Sequence, residues 1–337
     1  MGVEYIYPSP EHRLYDAASR WYPEPHWGGP KQLIDAAAQC LVDGLDSTHL
    51  RLLAGASPSD SQEEIKDLLE ATLDELNIPR PGELSPGKQL AADGRILSRQ
   101  PTDTIRFDVR AGHGSVGGHE ILVYVNDVEM TRIGAGMGMD PFEILIPVNR
   151  LIATPDPQQV PIARCECGTY GCGSTDATIV RDGDEVHWEW LYEVPIDHGV
   201  TFHAEQYDAE VARIAADHSW ERSEDTTARL VLEQIDRAHL DRYGLSVSWA
   251  AKDHANPDLF QIALSTGNDE YHSAEAGYQV FLRFPHRLRS PAQVALEVVE
   301  ELQRAPREWR ATWHAIKPGV GQAPPMAGRR WRHERIG

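Results

Sequence analysis

Three of the four cysteines in this 337-residue chain fall in one eight-residue window, Cys165-Glu166-Cys167-Gly168-Thr169-Tyr170-Gly171-Cys172, followed by Gly173. Thiolates are preferred zinc ligands, and zinc takes four ligands in a tetrahedron. Gly168, Gly171 and Gly173 let the backbone curl until three sulfurs face one point. The spacing Cys-x-Cys-x4-Cys departs from the common Cys-x2-Cys knuckle, so three chemistries stay open. They are a metal ion on Cys165, Cys167 and Cys172, free thiols in a Gly/Cys turn, and a disulfide from Cys172 to Cys165 or Cys167. The last needs an oxidising compartment.

A zinc site needs a fourth ligand. His187 is the first choice. It lies in Val186-His187-Trp188, paired with Thr178-Ile179-Val180 across Asp182-Gly183, a hairpin signal that would fold it back toward the window. His198, His203, His113 and Cys40 are weaker candidates. A structural zinc is the expectation. A catalytic one keeps an open position and a nearby acid–base group, for which Glu166 and Asp176 are close in sequence.

Other chemistry finds little footing. The zinc-deaminase pattern is absent, as are the Gly-x-Ser-x-Gly elbow, the His-Glu-x-x-His helix and the EF-hand loop. Gly134-Ala135-Gly136-Met137-Gly138 lacks a Gly-Lys-Ser/Thr ending and reads as a flexible turn. The loop around His113, Ser115 and His119 reads as a Gly-rich connection. Asp197-His198, Asp217-His218 and Asp253-His254 are sequence neighbours, which rarely face each other.

The elements that must position these residues follow from periodicity. Residues 1–30, with Trp21, Tyr22, Pro23, Pro25 and Trp27, read as an irregular aromatic arm. Leu33, Ile34, Ala37, Leu41 and Leu45 mark a helix, with Cys40 beside the stripe as a buried thiol. Ser61 and Glu64 form a capping box before Ile65, Leu69, Leu73 and Leu76. Residues 79–100 read as a linker.

From 101 the period changes to two, through Ile105, Phe107 and Val109 and again through Ile121, Val123 and Val125. Asp140-Pro141 starts a short helix. Trp188, Trp190, Tyr192 and Phe202 are assigned to the sheet core and the domain junction. Beyond 201, two helices, strands at 245–250, 259–264 and 277–284, and a helix capped by Ser290 give an α+β layer. The expected fold class is therefore α+β and multidomain. It has a helical module with its arm (1–98), an antiparallel β sheet or sandwich carrying the cysteines (101–200), an α+β module (201–316) and a basic tail (317–337).

The net charge is −20, read as −7 over 1–100, −10 over 101–200, −7 over 201–316 and +4 over 317–337. Acidic surfaces repel nucleic acid and steer basic protein partners. No apolar run approaches the roughly 18 residues of a membrane span, and the first ten residues lack a signal-peptide pattern. A cytoplasmic setting is expected, where clustered cysteines favour metal or free thiols.

The element Ala163-Arg164-Cys165-Glu166-Cys167-Gly168-x-x-Gly171-Cys172, followed by Val186-x-Trp188 and more loosely by Phe202 and Tyr207, resembles a family of uncharacterised actinobacterial proteins. The likeness covers about 105–220. It implies a bacterial cytoplasmic setting and nothing about catalysis. The functional expectation is a non-enzymatic binding or regulatory protein, immunity-like or accessory, whose β module is braced by zinc. The alternative is a metal- or thiolate-dependent enzyme with its site at the cysteines.

Overall fold

The computed structural model describes residues 9–19, 21, 30–81, 84, 86–91, 94–112, 118–196, 198–267, 277–316 and 322–334. The arm residues Tyr22, Pro23, Pro25 and Trp27, the loop residues His113 and Ser115, Asp197, and parts of the basic tail lie outside them. The chain divides into two units, Met1–Asp217 and His218–Gly337.

The first unit begins with four helices: α1 (Pro10–Ser19), α2 (Lys31–Val42), α3 (Thr48–Ala54) and α4 (Gln62–Leu76). The expected capping box opens α4. Ser61 Oγ accepts from the Glu64 N–H at 3.1 Å, and the Ser61 N–H donates back to the Glu64 carboxylate at 3.3 Å. These bonds satisfy amides that the first helical turn leaves unpaired. Leu14, Leu33, Ala37, Leu50, Ile65 and Leu69 make the helical core. Cys40 is buried there, its thiol donating to Pro10 O at 3.1 Å, and burial pushes its pKa up to about 11.

The stretch read as a linker carries a small hairpin, β1 (Lys88–Leu90) with β2 (Ile96–Ser98). Next come β3 (Ile105–Ala111), β4 (His119–Val125) and β5 (Val128–Glu129), a three-stranded sheet, then the one-turn helix α5 (Met130–Ile133). The following strands are β6 (Gly136–Gly138), β7 (Gln158–Cys165), β8 (Ser174–Asp182), β9 (Glu185–Tyr192) and β10 (Val200–His203), with the short α6 (Pro141–Ile144) after β6. They form one antiparallel sheet in the order β10-β9-β8-β7-β6.

The segment read as a flexible turn is therefore the edge strand β6. A Cβ on Gly138 would stand 2.1 Å from Ile121 O, so only glycine lets β6 pass this close to β4. Asp182 pairs with Glu185, and Gly183 takes a φ of 58°, so the expected β8–β9 hairpin forms at that turn.

Alternation along β8, β9 and β10 sends Ala177, Ile179, Val186, Trp188 and Phe202 into a fully buried core. Trp188 sits among Phe107, Trp190, Phe202 and Tyr207, with ring centroids 5.6–6.2 Å away. Its indole N–H donates to Tyr207 Oη at 3.3 Å, and Tyr207 donates to Leu151 O at 2.6 Å, so the buried polar atoms are satisfied. Tyr207 lies on α7 (Ala204–Ala216), which packs on β3, β9 and β10. Chain position groups this helix with the C-terminal module, but its apolar face is completed by the β sheet of the first unit.

The second unit holds α8 (Ser223–Gln234), α9 (Arg237–Asp241), β11 (Leu245–Lys252), β12 (Leu259–Thr266), β13 (Tyr278–Pro285), α10 (Pro291–Leu302), β14 (Thr312–Ala315) and β15 (Arg332–His333). The sheet order follows the chain, and only β14–β15 is parallel. Helices α8 and α10 pack together, α8 against β11 and α10 against β13. This is the expected mixed α+β architecture.

Candidate metal centre

The cysteine window is the turn joining β7 to β8. Cys165 is the last residue of β7, and its N–H donates to Gly173 O at 2.9 Å. The Gly168 N–H donates to Cys165 O at 2.8 Å, starting a tight reversal. Gly168 and Gly171 have φ of 87° and 92°, a left-handed backbone that side chains resist. The chain therefore doubles back over itself, and the Sγ atoms of Cys165, Cys167 and Cys172 all lie within 4.8 Å of one another. Tetrahedral zinc with bonds of about 2.3 Å sets sulfurs about 3.8 Å apart, so a small contraction suffices.

One contact anchors the loop. Tyr170, between the second and third cysteines, aims its hydroxyl at Asp176, with 2.9 and 2.8 Å to the two carboxylate oxygens. Asp176 is buried on β8 and also accepts from Gln159 Nε2 at 2.6 Å. Burial and the adjoining carboxylate raise the Tyr170 hydroxyl above the usual phenol range, so it stays a donor.

The three sulfurs share charge unequally. The Thr169 backbone N–H, then the Cys165 thiol and the Thr169 hydroxyl, donate to Cys167 and lower its pKa to about 7. The thiols of Cys165 and Cys167 hold Cys172 protonated, up to about 11. The Cys167 N–H also points at Cys165 Sγ, 3.5 Å away. Cys165 is half-buried, while Cys167 and Cys172 are exposed. An exposed cluster with one thiolate formed near neutral pH can exchange its remaining protons for a cation.

His187 is placed elsewhere on the sheet. It pairs with Val180, six residues along β8 from Ser174, roughly 20 Å at about 3.3 Å per residue. Its Nδ1 lies 3.0 Å from Thr201 Oγ1, its ring packs against Gly87, and burial lowers its pKa. The hairpin forms as expected. It returns β9 antiparallel, however, so residues near the turn stay at the end of the sheet away from the cysteines. His203 pairs with Glu185 at that same end. His198 borders a cavity over Thr178 and Glu189, Cys40 is in the helical core, and His113 lies outside the described residues.

Among the described residues, the only group of three or more metal-ligating side chains is the three cysteines. Asp176 is committed to Tyr170 and Gln159. Glu166 packs on Gly136. Sequence reasoning missed Glu193, whose carboxylate lies over Gly173, 2.7 Å from where a Cβ would stand. Its N–H donates to Ser174 O at 3.0 Å, a pairing visible only once the β8–β9 register is known.

No protein-family model matches the chain, and no curated protein or solved structure matches it.

Proposed function

We propose that this is a binding protein whose β7–β8 turn holds zinc on the thiolates of Cys165, Cys167 and Cys172. The observation that supports this most is the convergence of the three sulfurs to within 4.8 Å on a turn braced by Tyr170 and Asp176. Bound metal would tie the end of β7 to the start of β8. The fourth position falls to water or to a group from outside the described residues, since His187 lies at the far end of β8.

The partner read from charge is a basic protein surface. All 20 net negative charges fall within 1–217, and 218–337 are neutral overall. The field is therefore concentrated on the unit that carries the cysteines, where it would steer a cationic partner. Elemental analysis beside a thiol count tests the metal reading. About one zinc per chain, with three thiols masked until a chelator is added, supports it. Metal-free protein with three reactive thiols after zinc loading would rule it out.

The exposed Cys167, with its pKa lowered to about 7, favours a second reading, a metal- or thiolate-dependent enzyme at the same turn. This reading requires loss of a measurable turnover when Cys167 alone is changed to Ser.

A further inference from the structure

The four cysteines are all free thiols, and they divide by where they stand. Cys40 is buried in the helical core, its thiol donating to Pro10 O at 3.1 Å. Cys165 is half-buried at the end of β7, and both of its peptide groups are committed. Its N–H donates to Gly173 O at 2.9 Å, and its carbonyl accepts from the Gly168 N–H at 2.8 Å. Cys167 and Cys172 are the exposed pair. A dissolved oxidant therefore meets these two sulfurs first, since oxidation follows exposure.

The geometry suits a bond between them. A disulfide holds its sulfurs about 2 Å apart. The Sγ atoms of Cys167 and Cys172 lie within 4.8 Å of each other. Rotation about the two Cα–Cβ bonds brings exposed sulfurs together without displacing β7 or β8. The Cys165 sulfur is equally near, but its residue is pinned at both peptide groups and partly covered. It is the trio's least adaptable member.

We infer that Cys167 and Cys172 are an oxidation site, a dithiol that a hydroperoxide converts to a disulfide. One sulfur attacks a peroxide oxygen and the O–O bond breaks, leaving a sulfenic acid and releasing water or an alcohol. The other sulfur attacks the sulfenic sulfur and the S–O bond breaks, with hydroxyl and thiol proton leaving as water. The two thiols give up two electrons and two protons, which the peroxide takes up. Zinc held as proposed above loses two of its three thiolates in this step and is released. That release rests on the zinc reading, whereas the disulfide does not. Exposed disulfides are readily reduced, so a dithiol reductant restores the turn.

The test treats the chelator-stripped full chain with a slight excess of hydrogen peroxide and caps the remaining thiols with N-ethylmaleimide. Cleavage after Glu166 and after Tyr170 separates the three cysteines before mass spectrometry. Before capping, the protein should lose about 2 Da, the two hydrogens given up to the bond. A Cys167–Cys172 cross-link should appear, with Cys40 and Cys165 capped, and dithiothreitol should return all four thiols. Cys165→Ser, its fold checked by circular dichroism, should form the cross-link at an unchanged rate. Zinc-loaded protein should release its metal in step with the cross-link, read with a chromogenic chelator. A cross-link in protein that never takes up zinc supports the pair and counts against the zinc reading alone. Sulfinic acids without a cross-link, a bond through Cys165 in the wild type, or loss of the cross-link in Cys165→Ser would overturn the inference. Zinc retained after complete cross-linking would overturn the release.

Discussion

The hydroxyl of Tyr170 lies 2.9 and 2.8 Å from the two oxygens of the buried Asp176 carboxylate, a contact that ties the cysteine turn to β8. Tyr170 sits between Cys167 and Cys172 in sequence, so anchoring its ring fixes where the second and third sulfurs stand. The carboxylate in turn is oriented by Gln159 from β7. The brace joins both strands that the turn connects.

Tyr170→Phe removes this anchor without changing the sulfurs. Zinc affinity should fall by about 10- to 100-fold, as for other lost outer-shell partners, and stability by about 1 kcal/mol. Competition against a chromogenic chelator measures the first and denaturant unfolding the second. Unchanged affinity would mean that the turn holds its shape without the tyrosine.

The unequal thiols predict a pH signature in chelator-treated protein. Cys167 titrates near 7 because donors surround its sulfur, so its thiolate, and its alkylation by iodoacetamide, should grow as pH rises through that value. Cys172, held up to about 11, should lag far behind. Peptide mass spectrometry after timed alkylation separates the two. Saturating zinc should protect both, since a coordinated thiolate is a poor nucleophile.

Arg99 and Glu189 form an ion pair in which desolvation still raises the Glu189 carboxyl above its ordinary pKa. Arg99→Met strands that carboxylate and should cost about 3 kcal/mol in urea unfolding, whereas Arg99→Met with Glu189→Leu should cost clearly less. The comparison separates the penalty of an orphaned charge from the net worth of the pair.

Glu75 ties α4 to the start of α3. The His49 N–H, at 2.9 Å, is the largest cause that holds the carboxyl down to about 2, from an ordinary 4.5. The folded pKa lies below the unfolded one. The stabilisation is therefore present above pH 4.5 and is lost as pH falls toward 2. Acid unfolding of Glu75→Gln should be shallower than wild type across that window.

Local rules carried much of the fold. Ser61 and Glu64 announced the start of α4, Asp182-Gly183 the β8–β9 hairpin, and alternating residues β3, β4 and β11 to β13, because each depends on neighbours in sequence. The cysteine turn was legible for the same reason, since its glycines and sulfurs lie within nine residues. What failed were long-range placements. His187 looked close to the cysteines along the chain, yet the antiparallel register carries it to the other end of β8. The glycines of β6 suggested slack, whereas Gly138 is required by the approach of Ile121 O. Trp188 and Phe202 are core, as their pattern indicates, but their partner Tyr207 arrives on a helix that chain position groups with 201–316 and packing attaches to the β sheet of the first unit. The Tyr170–Asp176 contact left no sequence signal, since a Tyr and an Asp six residues apart meet only across a formed turn.

X-ray absorption at the zinc edge on the zinc-loaded full chain tests the central claim most directly. The account predicts three sulfurs at about 2.3 Å and one lighter oxygen or nitrogen donor, with the sulfur shell lost in the variant carrying Cys165→Ser, Cys167→Ser and Cys172→Ser. A shell of oxygen and nitrogen donors only, or a spectrum that the triple variant reproduces, would contradict it.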